Sequence, residues 1–162
     1  MEIAIISDTH MPRGDRRLPE ACVERLRAAA LIVHAGDFVT PAVLRELQEL
    51  GPVVGVHGNV DVAAVREALP EVALVQHDGV TIAVVHDAGP STGRIARCRR
   101  RFPHADAVVF GHSHIPLHER EASGFQIFNP GSPTERRRAP HHTMGVARIR
   151  DGVLTFELFT LD

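Results

Sequence analysis

Residues 105–116 read ADAVVFGHSHIP. The run Ala107-Val108-Val109-Phe110 has no polar alternation and reads as a strand buried on both faces. It stops at Gly111, and two histidines, His112 and His114, follow with one serine between them. Working outward, the same pattern recurs. The apolar run from Glu2 to Ser7 ends in Asp8-Thr9-His10. ALIVHAGD ends at His34 and Asp37, and PVVGVHGN ends at His57 and Asn59, with Asp61 just beyond. VTIAVVHD ends at His86-Asp87. In an open α/β sheet the carboxyl ends of the strands meet at one crevice, where ligands bind. Five strand ends that all deliver oxygen or imidazole donors predict such a crevice here.

The segments between these strands fit that reading. Leu18 to Ala30 carries a helical apolar stripe, with Pro19 suited to its first turn. Thr40-Pro41 offers an N-cap and an N1 proline for a helix to about Leu50. Val62 to Leu69 reads as a short helix, so the first half predicts parallel βαβ units. The second half predicts mostly antiparallel pairing. Asp78-Gly79, Ser123-Gly124 and Asp151-Gly152 each separate two strand-like runs, as in hairpins. Ser91 to Arg101 reads as a helix stopped before Pro103.

With 162 residues and 44% apolar composition, the chain predicts one globular domain over residues 1–162. The formal net charge of -2 gives no general case for nucleic acid or an anionic membrane as partner. The N-terminus is not a signal peptide, and no apolar run approaches the roughly 20 residues of a membrane span. Two cysteines, Cys22 and Cys98, form no metal-type pair, and a reducing cytoplasm is the simplest setting. The absence of Trp and Tyr argues against a base-stacking platform. A homo-oligomer is left open.

Alternate residues of a strand point the same way, so Asp8 can share a point in space with His10, and His112 with His114. With Asp37, Asn59 and His86 they form a mixed N/O set. Seven donors are too many for one tetrahedral zinc. They suit two divalent ions sharing a carboxylate, with Mn²⁺ foremost and Fe, Ni²⁺ or Zn²⁺ as alternatives.

The motifs Asp8-Thr-His10, Gly36-Asp37, Gly58-Asn59-Val-Asp61, His86 and Gly111-His112-Ser-His114, in that order, resemble the calcineurin-like metallophosphoesterases. The compact length and Asn129-Pro130-Gly131-Ser132 resemble the family's small prokaryotic phosphodiesterase branch. The resemblance implies a four-layer α/β/β/α sandwich with mixed sheets. It implies that Asp8, His10 and His114 hold a first metal, that Asn59, His86 and His112 hold a second, and that Asp37 bridges them. It further implies in-line attack on phosphorus by a hydroxide shared between the metals, with Asn59 also reaching a phosphate oxygen. A small phosphodiester would be the substrate.

Two positions depart from that pattern. Many relatives place a proton-donating histidine where this chain has Val60, and His-Gly-His where it has His86-Asp87-Ala88. Good leaving groups should therefore be favoured over alkyl esters. Asp87 at the rim should disfavour dianionic monoesters, which points to diesters.

His34, His57, Asp61 and Asp87 read as residues behind the donors, and Asp61 as a cap on the following helix. His77, His104, His118, His141 and His142 read as turn or surface residues, and Asn129–Ser132 as a turn. The arginine runs at Arg94–Arg101 and Arg136–Arg138, and Arg13, Arg16 and Arg17, read as solvated faces or as guides for a phosphate group. The competing function is a protein-binding scaffold, as in the retromer subunit of this superfamily, which predicts decayed donors and an exposed apolar patch.

Overall fold

A computed structural model describes residues 1–162. The elements run β1 (Glu2–Ile6), α1 (Glu20–Ala28), β2 (Leu31–His34), α2 (Pro41–Leu50), β3 (Val53–Gly55), α3 (Ala63–Ala68), β4 (Val72–His77), β5 (Val80–Val85), α4 (Arg94–Arg101), β6 (Ala107–Val109), β7 (Leu117–Arg120), β8 (Gln126–Asn129), β9 (Thr143–Arg150) and β10 (Val153–Thr160). They form two five-stranded sheets, ordered β10-β9-β1-β2-β3 and β4-β5-β6-β8-β7.

Side-chain alternation along the strands builds the layers. On β1, Ile3 and Ile5 join Val33, Ile82, Val84, Val109, Phe128 and Ile149 in a core between the sheets. Ala4 and Ile6 face the other way, into a core with Cys22 and Leu26 of α1, Val43 and Leu47 of α2 and Val65 of α3. The second sheet turns Ala83, Val108 and Ile127 outward against Cys98 of α4. The result is helices, sheet, sheet, helix, as the resemblance implies.

Five local expectations change. The second sheet is more parallel than the hairpin pattern suggests, because β6 runs parallel to both β5 and β8. Helix α4 makes the crossover from β5 to β6, which an antiparallel pair would not need. Helix α1 starts at Glu20 with Pro19 outside it, in the cap position. Helix α4 starts at Arg94, because Gly93 at φ +68° ends the preceding turn. Thr40 takes the cap position of α2, but its hydroxyl is buried and makes no hydrogen bond. His118 lies on β7 and donates its Nε2–H to Gln126 Oε1 at 2.8 Å, so it belongs to a strand and not a turn. Cys22 and Cys98 are buried and free. No helix is long and apolar enough to cross a membrane.

Candidate metal centre

Every donor singled out in the sequence lies just past a strand on one side of the molecule. Asp8 and His10 follow β1, Asp37 follows β2, and Asn59 follows β3. His86 follows β5, while His112 and His114 follow β6. The backbone that aims them is not strand. Asp8 (φ +55°), His10 (+46°), Asp37 (+64°), His112 (+70°) and His114 (+61°) are all left-handed. Asp8 and His10 share one group, whereas His112 and His114 turn to different partners, Asn59 and Asp8. The chain leaves the pleat after Ile6 and after Val109, and tight left-handed turns fold the donors back together. Asp and His tolerate this region better than most residues, yet holding them there costs about 1–3 kcal/mol each.

The donors interlock around the two aspartates. Asp37 Oδ2 lies 3.2 Å from both His10 Nε2 and His86 Nε2. Asp8 Oδ1 lies 3.4 Å from His114 Nε2 and 4.0 Å from the same two nitrogens. Asn59 Oδ1 faces His86 Nε2 at 3.0 Å and His112 Nδ1 at 3.1 Å. The imidazoles pair edge to face, His10 with His114 and His86 with His112. Asp8, His10 and His114 form one group able to hold a cation; Asp8, Asp37 and His86 form another. Asp8 thus serves both groups, where the resemblance assigns it to one. His112 stands at the rim, with its side chain 46% exposed.

The buried charges shift one another strongly. Burial pushes the Asp8 carboxyl up to about 6, against the charge of His86. Burial also opposes ionisation of Asp37, but hydrogen bonds from His10 and His86 hold it well below the usual carboxylate range. His86 is lifted to about 9 despite burial, because Asp37 and Asp8 face it. Burial lowers His114 to about 4. Its Nδ1–H donates to the Glu135 carbonyl oxygen at 2.5 Å, which leaves a lone pair on Nε2. That Nε2 is buried, has no hydrogen-bond partner and faces a carboxylate oxygen. His86 is anchored in the same way at Nδ1 alone. Its Nδ1–H donates to the Ala35 carbonyl at 2.7 Å, and Nε2 faces Asp37. The His114 lone pair, turned toward a carboxylate in a dry site, fits a divalent cation of N/O preference.

Asp61 does not cap α3. Its carboxylate accepts the backbone N–H groups of Asp37 (3.1 Å), Val39 (2.7 Å) and Gly58 (2.7 Å), pinning two donor loops together. His34 is fully buried, and protein groups occupy both of its ring nitrogens. Its Nδ1 accepts the Gly36 N–H, its Nε2 lies 3.0 Å from Thr9 Oγ1, and its ring stacks on Phe38. His57 and Asp87 line a cleft of about 230 Å³ beside His86 and His112, shared with Arg66 and Arg101. Glycines let the loops close. A Cβ on Gly58 would lie 2.0 Å from Asp37 Oδ1, and one on Gly111 would lie 1.9 Å from Ser7 Oγ.

The turn at Asn129–Ser132 does more than turn. Asn129 Nδ2 donates to the Gly111 carbonyl, and Ser132 Oγ donates to the Asp8 carbonyl at 2.8 Å. Thr134 Oγ1 donates to the Thr9 carbonyl at 2.6 Å, and Glu135 Oε2 lies 2.9 Å from His10 Nδ1. Arg66 donates to the carbonyls of Asp61 and Asn59. Sequence reading missed Glu135 and Arg66. Neither carries periodicity or a motif; Glu135 acts across the fold and Arg66 on the loop just before its own helix. Among the basic runs, Arg94 and Arg97 hold the carbonyls of residues 88–92, a structural role.

Residues 1–152 match the calcineurin-like phosphoesterase superfamily domain. A probable metallophosphoesterase of Methanothermobacter thermautotrophicus is 36% identical over 160 residues, covering 98% of this chain and 91% of that protein. A Thermotoga maritima protein solved by solution NMR is 30% identical, with a TM-score of 0.77 over 99% of each chain. Vps29 of Entamoeba histolytica, solved in complex with zinc, shares the fold at 20% identity, with a TM-score of 0.79 over 100% of both chains. Fold, strand-end donors and sequence therefore agree that this chain belongs to the calcineurin-like metallophosphoesterases.

Proposed function

We propose that the chain, as one domain over residues 1–162, is a dinuclear metal-dependent phosphodiesterase. Asp8, His10 and His114 would hold one divalent ion, and Asn59, His86 and His112 a second, with Asp37 between them. The observation that carries this reading is His114 Nε2, a buried, unpartnered lone pair facing the Asp8 carboxylate. Bound there, a metal pair supplies Lewis acidity, which lowers the pKa of a water and neutralises charge on phosphate oxygens.

The protein's own groups do the rest. Asp37 stays ionised at neutral pH because two imidazoles hydrogen-bond to it. Asn59 turns its Oδ1 toward His86 and His112, which frees its amide N–H groups to donate to a phosphate oxygen. Arg66 grips the main-chain carbonyl of Asn59 at 2.8 Å and holds the loop that carries it. The adjoining cleft has a single hydrophobic lining residue, Val85, and suits a small polar ester group. Asp87 at its rim repels a dianionic monoester more than a monoanionic diester. Positions 60 and 88 offer no proton to the leaving group. Mn²⁺ is the preferred metal, with Fe, Ni²⁺ or Zn²⁺ able to use the same donors.

The scaffold alternative predicts lost donors, whereas all seven positions are kept and face one crevice. The test is the initial rate on bis-p-nitrophenyl phosphate with Mn²⁺ against the same protein in excess chelator. His112→Ala, matched for folding by circular dichroism, is the control. Metal-dependent turnover lost in the variant supports the proposal. No turnover with Mn²⁺, Ni²⁺, Fe²⁺ or Zn²⁺, despite bound metal, would put the scaffold first.

A further inference from the structure

The loop after β8 touches every donor of the Asp8–His10–His114 group. Ser132 Oγ donates to the Asp8 carbonyl and accepts the Glu135 N–H at 2.9 Å. The Glu135 carbonyl accepts the His114 Nδ1–H. The Glu135 side chain reaches the remaining donor, with Oε2 2.9 Å from His10 Nδ1. On its other side, Glu135 Oε1 pairs with Arg16 Nη2 at 3.2 Å, and Arg16 Nη1 donates to the Arg13 carbonyl. One residue thus meets both histidines, one through its main chain and one through its carboxylate.

We propose that Glu135, held by Arg16, is the positioning residue that makes His10 a metal ligand. The inference rests on the dinuclear reading above. Its physical basis is the ring proton. His10 Nε2 lies 3.2 Å from Asp37 Oδ2. A metal on that side needs the Nε2 lone pair, so the proton must sit on Nδ1. A carboxylate behind a ligating histidine accepts that proton, fixes the ring and raises its basicity. Glu135 Oε2 is shut off from solvent and has no aligned hydrogen-bond partner, although His10 Nδ1 stands 2.9 Å away. An unmade bond of this kind is costly, and a small rotation of the His10 ring would complete it. The ring rotation and the loss of the Nε2 proton are the same event as ligation. Arg16 keeps the carboxylate from turning out to solvent.

The test is a calorimetric Co²⁺ titration of the metal-free full-length chain, with the cobalt visible spectrum as a second readout. Wild type should take two ions. Glu135→Ala should weaken one of them about 10- to 100-fold and leave the other within twofold. Glu135→Gln keeps an acceptor oxygen but no charge, so it should fall between the two. It also serves should the alanine variant fail to fold. Arg16→Ala should weaken the same ion as Glu135→Ala, and His112→Ala the other one. Two ions bound by Glu135→Gln and Arg16→Ala with wild-type affinity and spectrum would overturn the inference and leave the dinuclear reading intact. A wild type that takes no ion would overturn both.

Discussion

Asp61 Oδ1 accepts the backbone N–H of Val39 at 2.7 Å and so holds a β-branched residue at φ +88°. Its other oxygen takes the N–H groups of Asp37 and Gly58. One buried carboxylate therefore fixes the loop that carries Asp37 and the loop that carries Asn59. Removing it leaves three N–H groups without an acceptor. Asp61→Ala should cost about 3 kcal/mol or more in a urea titration under chelator, and should weaken metal binding as well. Asp61→Asn should cost less, since one acceptor oxygen remains.

His34 gives the metal-free fold an acid-sensitive side. Burial holds its pKa near 3, against the ordinary 6.5. The unfolded chain then binds more protons between those values, so the contribution is full above pH 6.5 and is lost as pH falls toward 3. Asp8 acts in the opposite sense. Raised to about 6 by burial, it favours the fold at low pH and loses that effect as pH rises from 3.8 to 6. Comparing wild type with His34→Gln isolates the histidine. From pH 6.5 to 5 the wild type should lose roughly 2 kcal/mol more than the variant. Equal losses by chemical denaturation under chelator would refute this.

Two glycines behave oppositely. Gly58→Ala drives a methyl into the Asp37 carboxylate and backbone, at 2.0 and 2.6 Å. Turnover should drop by more than about 100-fold, because a misplaced catalytic group of even 1 Å has that effect. Gly93 has nothing within 4 Å, only its positive φ. Gly93→Ala should cost about 1 kcal/mol of stability and keep the activity.

Val60 donates its backbone N–H to Asp37 Oδ1 at 3.0 Å, a bond any side chain preserves. Val60→His should therefore fold and supply a proton to the leaving group. Rates on alkyl phosphodiesters should rise by at least about tenfold, and more than on p-nitrophenyl esters, whose leaving group needs no proton. Equal gains on both ester types would show that position 60 does not face the leaving group.

The strand ends were legible because buried strands are continuous apolar runs, and a polar cluster after each one stands out. Every one of the seven donors reached the crevice that way. What could not be read was how the backbone turns them. Nothing local announces left-handed geometry at Asp8, His10 or His112, and the pleat offered a simpler route. The parallel placing of β6 was likewise hidden, since its three residues carry no sign of their neighbours. Glu135 and Arg66 act on partners 125 and 7 residues away, the Glu135–His10 contact across the whole fold. Long-range contacts of that kind leave no periodic trace, and in Glu135 the charge is masked by the three arginines after it.

The left-handed backbone beneath five of the donors restricts what can replace them. Gly enters that region freely, and Asp, Asn and His at less cost than branched and bulky residues. Two separate demands, ligation and turn geometry, thus select nearly the same short alphabet. A descendant that gave up its metals would still have to make the turns. Its vacated positions would drift to Asn, Asp or Gly and not to Val or Ile, so the outline of the crevice would outlast its chemistry.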